Sequence, residues 1–101
     1  MTLQLRFLPE VLNDALAYRW YEAKRQGLGE EFIQLFYESS AQLVRAPASY
    51  QCVHGDVRRR ILKRFPYALY DFIEDEMLVV CGLFHCARDP ATVTKFLDTR
   101  I

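Results

Sequence analysis

The sequence predicts an α+β domain filling residues 1–101, in the order strand, helix, helix, three strands, short helix. Three observations carry this. An alternating apolar stretch opens the chain, two long helical patterns meet at a glycine turn, and three strand-like runs follow one another through short connections. The two helices form a hairpin, and strands joined by short connections pair antiparallel.

In TLQLRFL, Leu3, Leu5 and Phe7 alternate with Thr2, Gln4 and Arg6, the period of a half-buried strand. Pro9 ends it and suits the first turn of a helix. From Glu10 to Gln26 no residue breaks a helix. Leu12, Leu16, Trp20 and Ala23 recur at helical spacing, with Val11, Ala15 and Tyr18 on the neighbouring stripe, and Trp20 and Tyr21 are expected at the core and its edge. Gly27-Leu28-Gly29 turns the chain into a second helix, whose core stripe is Leu28, Phe32, Leu35, Phe36, Ser39 and Leu43. Ile33, Tyr37 and Val44 form an additional apolar stripe. They are expected either in a core closed on two sides or at the docking face of a partner. Pro47-Ala48-Ser49 is expected to close the hairpin, followed by a polar connector.

The predicted strands are Val57 to Lys63, Tyr67 to Ile73 and Met77 to Phe84. Phe65-Pro66 separates the first two, since proline interrupts a ladder, and Glu74-Asp75-Glu76 is a charged hairpin connection. MLVVCGLF is apolar almost throughout, as in a strand covered on both faces. Asp89-Pro90 then supplies an N-cap and a first-turn proline, and Val93, Phe96 and Leu97 give a short final helix one apolar stripe.

Composition narrows the function classes. The chain is 51% hydrophobic and 14% aromatic, enough for a core, and its 13 basic residues balance 13 acidic ones. No global field draws it to nucleic acid or membrane, so any such attraction comes from local charge. No apolar run approaches the roughly 20 residues of a membrane-spanning helix, and MTLQLRFLPE is not built like a signal peptide. A cytoplasmic location is expected. Cys52, Cys81 and Cys86 are read as free thiols. Cys52, His54, His85 and Cys86 have zinc-compatible chemistry but not the usual ligand spacing, so neither metal nor cofactor is expected.

The local charge is RRRILKR, from Arg58 to Arg64. By the two-residue period of a strand, Arg58 and Arg60 share one face and Arg59 takes the other. The acidic group Asp71, Glu74, Asp75 and Glu76 is expected at a solvated hairpin tip. His85, ending a buried strand, is expected to be a hydrogen-bonded structural residue, with a catalytic role as the less favoured reading.

Four pieces of this chain carry a family resemblance: FLPE, WYEAKRQGLGEEF, KRFPYALY and HCARDP, in that order. The sequence resembles the RelE/ParE family, toxins of bacterial type II toxin-antitoxin modules also called plasmid stabilisation proteins. The resemblance implies a RelE/ParE-like fold, with the helical hairpin packed on a small mixed, mostly antiparallel sheet, and a toxin held by a cognate antitoxin in a hetero-oligomer. Ile33, Tyr37 and Val44 are the candidate antitoxin contacts. RelE-like members cut messenger RNA on the ribosome, whereas ParE-like members poison DNA gyrase without the ribonuclease's catalytic side chains.

Arg88 corresponds to the arginine in the family's histidine-arginine-aspartate ending. With Arg58, Arg60 and, less favoured, His85, it is a candidate contact to phosphate or target. SYQCVHGD contains no lysine and TVTKFLDTRI no tyrosine or histidine, which departs from the ribonuclease pattern and favours a ParE-like toxin. The alternatives are a metal-independent endoribonuclease and a degenerate member, since Cys86 and Ala87 stand where the family usually has glycine and a basic residue. The sequence thus poses one geometric question, whether Arg58, Arg60 and Arg88 meet.

Overall fold

The computed structural model describes residues 3–46 and 51–101, and the turn expected at Pro47-Ala48-Ser49 lies outside them. Strand β1 (Gln4–Phe7) leads into helix α1 (Pro9–Asp14), a 3-10 turn (Ala15–Ala17), α2 (Tyr18–Lys24) and α3 (Leu28–Arg45). Strands β2 (Cys52–His54), β3 (Val57–Ile61), β4 (Tyr67–Glu74) and β5 (Met77–His85) follow, then α4 (Pro90–Arg100). The sheet order is β1-β5-β4-β3-β2, with β1 parallel to β5 and the other pairings antiparallel. The predicted strands and hairpin are present, and β5 is buried along almost its whole length.

Three details differ from expectation. The first helical stretch is not continuous but tightens into a 3-10 turn, where the chain passes from sheet-packed α1 to the α2–α3 hairpin. Only one of its two apolar stripes is buried. Val11, Ala15 and Tyr21 are buried, whereas Leu12 (49%), Leu16 (41%) and Trp20 (59%) are exposed. Both stripes have helical period, so periodicity alone did not choose between them. The third difference is β2, read from sequence as part of a polar connector. It is a short edge strand whose irregular register against β3 hides its alternation.

The turn between α2 and α3 explains the WYEAKRQGLGEEF segment. Gly27 caps α3 with φ +87°, a left-handed conformation that favours glycine. Glu22, from the preceding helix, receives the backbone N–H groups of Gly27 at 2.9 Å and Gly29 at 3.0 Å. Its carboxylate therefore satisfies donors at the positive end of α3. At Gly29 the helices are so close that an added Cβ would collide with the Tyr18 carbonyl oxygen.

The sheet buries a core on each side. On the hairpin side, Tyr21 stacks on Phe32 at 5.2 Å, and Phe65 meets Tyr21 and Phe32 edge-on at 4.8 and 5.1 Å. Phe65 is thus a core anchor in the connection whose Pro66 carbonyl accepts the Cys86 N–H at 2.7 Å. On the other side, Val93 and Leu97 of α4 join Val57, Ala68, Tyr70, Cys81 and Phe84.

The edge of β5 beyond its pairing with β1 is finished by side chains. Asp14 Oδ2 accepts the Leu83 N–H at 3.2 Å, and Arg100 donates to the Cys81 carbonyl at 3.0 Å. The two side chains are themselves joined by paired bonds of 2.5 and 3.0 Å. A carboxylate and a guanidinium thereby stand in for a neighbouring strand's acceptor and donor.

Candidate functional site: a cationic cavity under the last helix

Strand alternation separates the members of the arginine run. Arg58, 6% exposed, pairs with Asp71, its partner across the β3/β4 ladder and itself 0% exposed. Asp71 is therefore not part of the solvated tip, although Glu74, Asp75 and Glu76 are exposed. Burial raises the Asp71 carboxyl above its ordinary pKa, while the hydrogen bond and charge of Arg58 oppose that rise. Its Oδ1 has no hydrogen-bond partner among the described residues. Arg60, on the same strand face, reaches α3, donating to Gln42 Oε1 at 2.6 Å and the Ser39 carbonyl at 3.5 Å.

Arg59 takes the other face, and Arg88 is found there. A cavity of about 170 Å³ between sheet and α4 is lined by Arg59, Tyr70, His85, Cys86, Arg88 and Thr94, with His54 on one flank and Val93 and Leu97 among its apolar wall. The structure thus brings Arg88 together with Arg59 and His85, and places Arg58 and Arg60 on the opposite face. Arg59 was passed over because alternation set it apart from its neighbours. The usable signal was that α4, which begins just after Arg88, must cover one sheet face, and Val57 and Arg59 share it.

Arg59 Nε is buried without a hydrogen-bond partner among the described residues. The Arg88 guanidinium lies over the rings of Phe84 at 5.7 Å and Phe96 at 5.4 Å, which keep its charge beside apolar surface. Arg100 approaches the same Phe84 ring at 4.8 Å. His85 Nδ1 accepts the Ala87 N–H at 3.0 Å, so the expected structural hydrogen bond is present and Nε2 is the nitrogen left to act. His54 Nε2 meets Asp98 Oδ1 at 2.7 Å, tying β2 to α4.

Tyr67 and the buried thiol of Cys81 are poor bases. Burial pushes Tyr67 above its ordinary pKa, with the charge of Arg88 opposing and that of Asp14 adding to the rise. It is a donor, not a base, near neutrality. Burial pushes the Cys81 thiol up to about 12, which makes it inert. On the hairpin side of His85 a shallow cleft is lined by Trp20, Tyr21, Pro66, Tyr67 and His85.

Of the candidate partner contacts, Tyr37 is 47% exposed and packs edge-on to Phe7 at 5.6 Å, while Ile33 and Val44 are half-buried against the core. Through Phe7, Tyr37 lies beside β1, which is a terminal strand of the described sheet.

This architecture defines the class: the chain has a ParE-like α+β fold, with a helical hairpin and small C-terminal helix packed about a five-stranded mixed sheet. A chain from the structure titled "Chromosomal ParDE TA system from P. aeruginosa" superposes with a TM-score of 0.75 at 16% identity, covering 83% of this chain and 96% of that one. No family model and no curated protein matches the sequence. No described helix is long and apolar enough to cross a membrane.

Proposed function

We propose that this chain is the toxin of a type II toxin-antitoxin module, bound by a cognate antitoxin and, once released, inhibiting growth through contacts with a cytoplasmic target such as DNA gyrase. The observation that carries this reading is the fold shared with the ParDE TA system over 83% of the chain. Two features support a protein-contact mechanism. Leu12, Leu16 and Trp20 present an apolar ridge to solvent, the kind of surface that marks protein recognition. Arg58 and Arg60 are engaged inside the fold, with Asp71 and with Gln42 and Ser39, so they are poor candidates for gripping a scissile phosphate.

The ribonuclease reading draws on a different feature, the cavity that joins Arg59, Arg88 and His85. A metal-independent cleavage needs charge stabilisation and a proton donor for the leaving oxygen, and guanidinium plus imidazole can supply both. Induction without antitoxin separates the readings. We expect growth arrest with loss of gyrase supercoiling and intact message. Ribosome-dependent message cleavage would transfer the assignment to the endoribonuclease, and unimpaired growth would indicate a degenerate member.

For the antitoxin, the proposed seat is α3 around Ile33, Tyr37 and Val44, beside the terminal strand β1. Amide exchange on forming the complex should slow in this region; unchanged exchange there would remove it from the interface.

A further inference from the structure

We infer that the groove between the β2–β3 turn, the end of β4 and the last turn of α4 is a docking site for a basic, extended segment of a partner protein. Of the residues lining the cationic cavity it shares only His54, and none of its lining comes from α3 or β1. The inference stands apart from the toxin reading. It rests on an uncovered apolar lining, a strand that outruns its neighbour, and a rim of one charge.

The groove has a volume of about 390 Å³, and Val57, Phe72, Ile73 and Ile101 form its apolar lining. Ile73 is 40% exposed and Ile101 60%, so this surface meets water unless a partner covers it. The β3/β4 ladder begins at Arg58 with Asp71, whereas β4 continues through Phe72, Ile73 and Glu74 with β5 alone beside it. On the β3 side these three residues have no ladder partner among the described residues. Such an edge is a template for a further strand, held by main-chain bonds while alternate side chains read the surface.

Charge selects the occupant. Asp56, Glu74 and Asp98 border the groove from three separate elements, and no lysine or arginine lines it. Asp98 is shared with His54 at 2.7 Å, but Asp56 and Glu74 have no ion-pair partner among the described residues. The zero net charge of the chain is thus segregated. Lys63, Arg64 and Arg88 flank the Tyr67–His85 end of the β4–β5 hairpin, and Glu74, Asp75 and Glu76 form its other end. The 8 residues of β4 set these ends roughly 25 Å apart. A cationic segment is steered to the groove, and nucleic acid is repelled from it. Among the described residues no three His, Cys, Asp or Glu side chains converge to hold a metal ion. A partner's lysines and arginines fit better, since their aliphatic stems suit the apolar lining while their heads reach the rim.

The test is calorimetric titration of the intact chain with a short capped peptide of alternating lysine and valine, and with its counterpart of alternating glutamate and valine. Saturable binding of the lysine peptide is expected, weakening as ionic strength rises. Combining Asp56→Asn with Glu74→Gln should weaken it about fivefold or more, as suits loss of two exposed charge pairs. Both positions are exposed, so the double variant is expected to fold. Ile73→Thr probes the lining without altering charge and should weaken binding while leaving its salt dependence unchanged. No saturable binding of the lysine peptide, equal binding of the glutamate peptide, or undiminished binding in both variants overturns the site. Dimerisation of the chain in light scattering that disappears in the double variant also overturns it, because the occupant is then a second copy.

Discussion

The two faces of the sheet treat neighbouring arginines in opposite ways. On the hairpin face, Arg58 is buried with Asp71, on the strand face from which Arg60 reaches α3. On the α4 face, Arg59 is one residue further along the same strand, yet borders an open cavity with Arg88. Equal formal charge therefore carries no information about role. What separates the two is whether the chain supplies a carboxylate opposite each, and β4 presents Asp71 to Arg58 but Tyr70 to Arg59. The hairpin face spends its charge on structure, while the α4 face keeps it available.

The largest expected effect comes from breaking the structural half of this contrast. Arg58→Met leaves Asp71 buried without its partner and should cost about 3–5 kcal/mol, measured by urea unfolding near neutral pH. Combining it with Asp71→Leu should recover most of that loss; a double variant as unstable as the single one would show that the pair is not the cause. The pH dependence follows from Asp71, whose pKa is raised in the fold. Its stabilising contribution is complete below the unfolded value of about 3.9 and is lost as pH rises through the higher folded value. The Arg58→Met penalty should accordingly shrink in acid, where the carboxyl is neutral, and a penalty that grows on acidification would contradict this.

On the other face, Leu97→Ala removes a buried anchor of α4, 1% exposed, and should cost about 2–5 kcal/mol. Amide exchange in α4 should quicken more than in α3, because α4 rests on the sheet through Val93 and Leu97 alone among its buried residues. Equal acceleration in both helices would mean that the two faces do not open separately.

A smaller loss, about 1–3 kcal/mol, is expected for Gly29→Ala, in which the new methyl meets the Tyr18 carbonyl. A midpoint unchanged in thermal unfolding would show that α2 and α3 can separate freely. The smallest stability effect, within about 0.5 kcal/mol, is expected for Trp20→Ser on the exposed ridge. If that ridge meets a protein partner, growth inhibition or antitoxin affinity should fall while the melting temperature holds. Unchanged inhibition and affinity would exclude Trp20 from both contacts.

Much of this fold was legible because apolar spacing is strict where strands and helices bury one face. Leu3, Leu5 and Phe7 marked β1, and Phe32, Phe36 and Leu43 marked the buried face of α3. What failed to show was any feature that depends on which of two equivalent faces meets the sheet. Leu12, Leu16 and Trp20 fitted a core stripe as well as Val11 and Ala15 did, and only the path of the chain through the 3-10 turn decides between them. The site had the same limitation. Alternation correctly set Arg59 apart from Arg58 and Arg60, but the face on which Arg88 would fall depended on packing by α4. Asp71 looked like one more acidic residue near a hairpin tip because its burial arises from the opposing Arg58, thirteen positions away.

The parallel pairing of β1 with β5 has a bearing on how the molecule forms. Gln4 aligns with Met77 and Phe7 with Val80, so the first strand must wait for nearly all the rest before it finds its ladder. The β3–β4–β5 meander closes through short connections and can assemble from local contacts. Joining β1 to it closes a much longer loop, the kind of step that slows folding. During synthesis, β1 emerges long before β5 can receive it, leaving its backbone groups and the apolar side of the first helices without their native cover. A binding partner that recognises the finished β1 and α3 surface would therefore act only after this last union, and would read completion of the chain as well as its sequence.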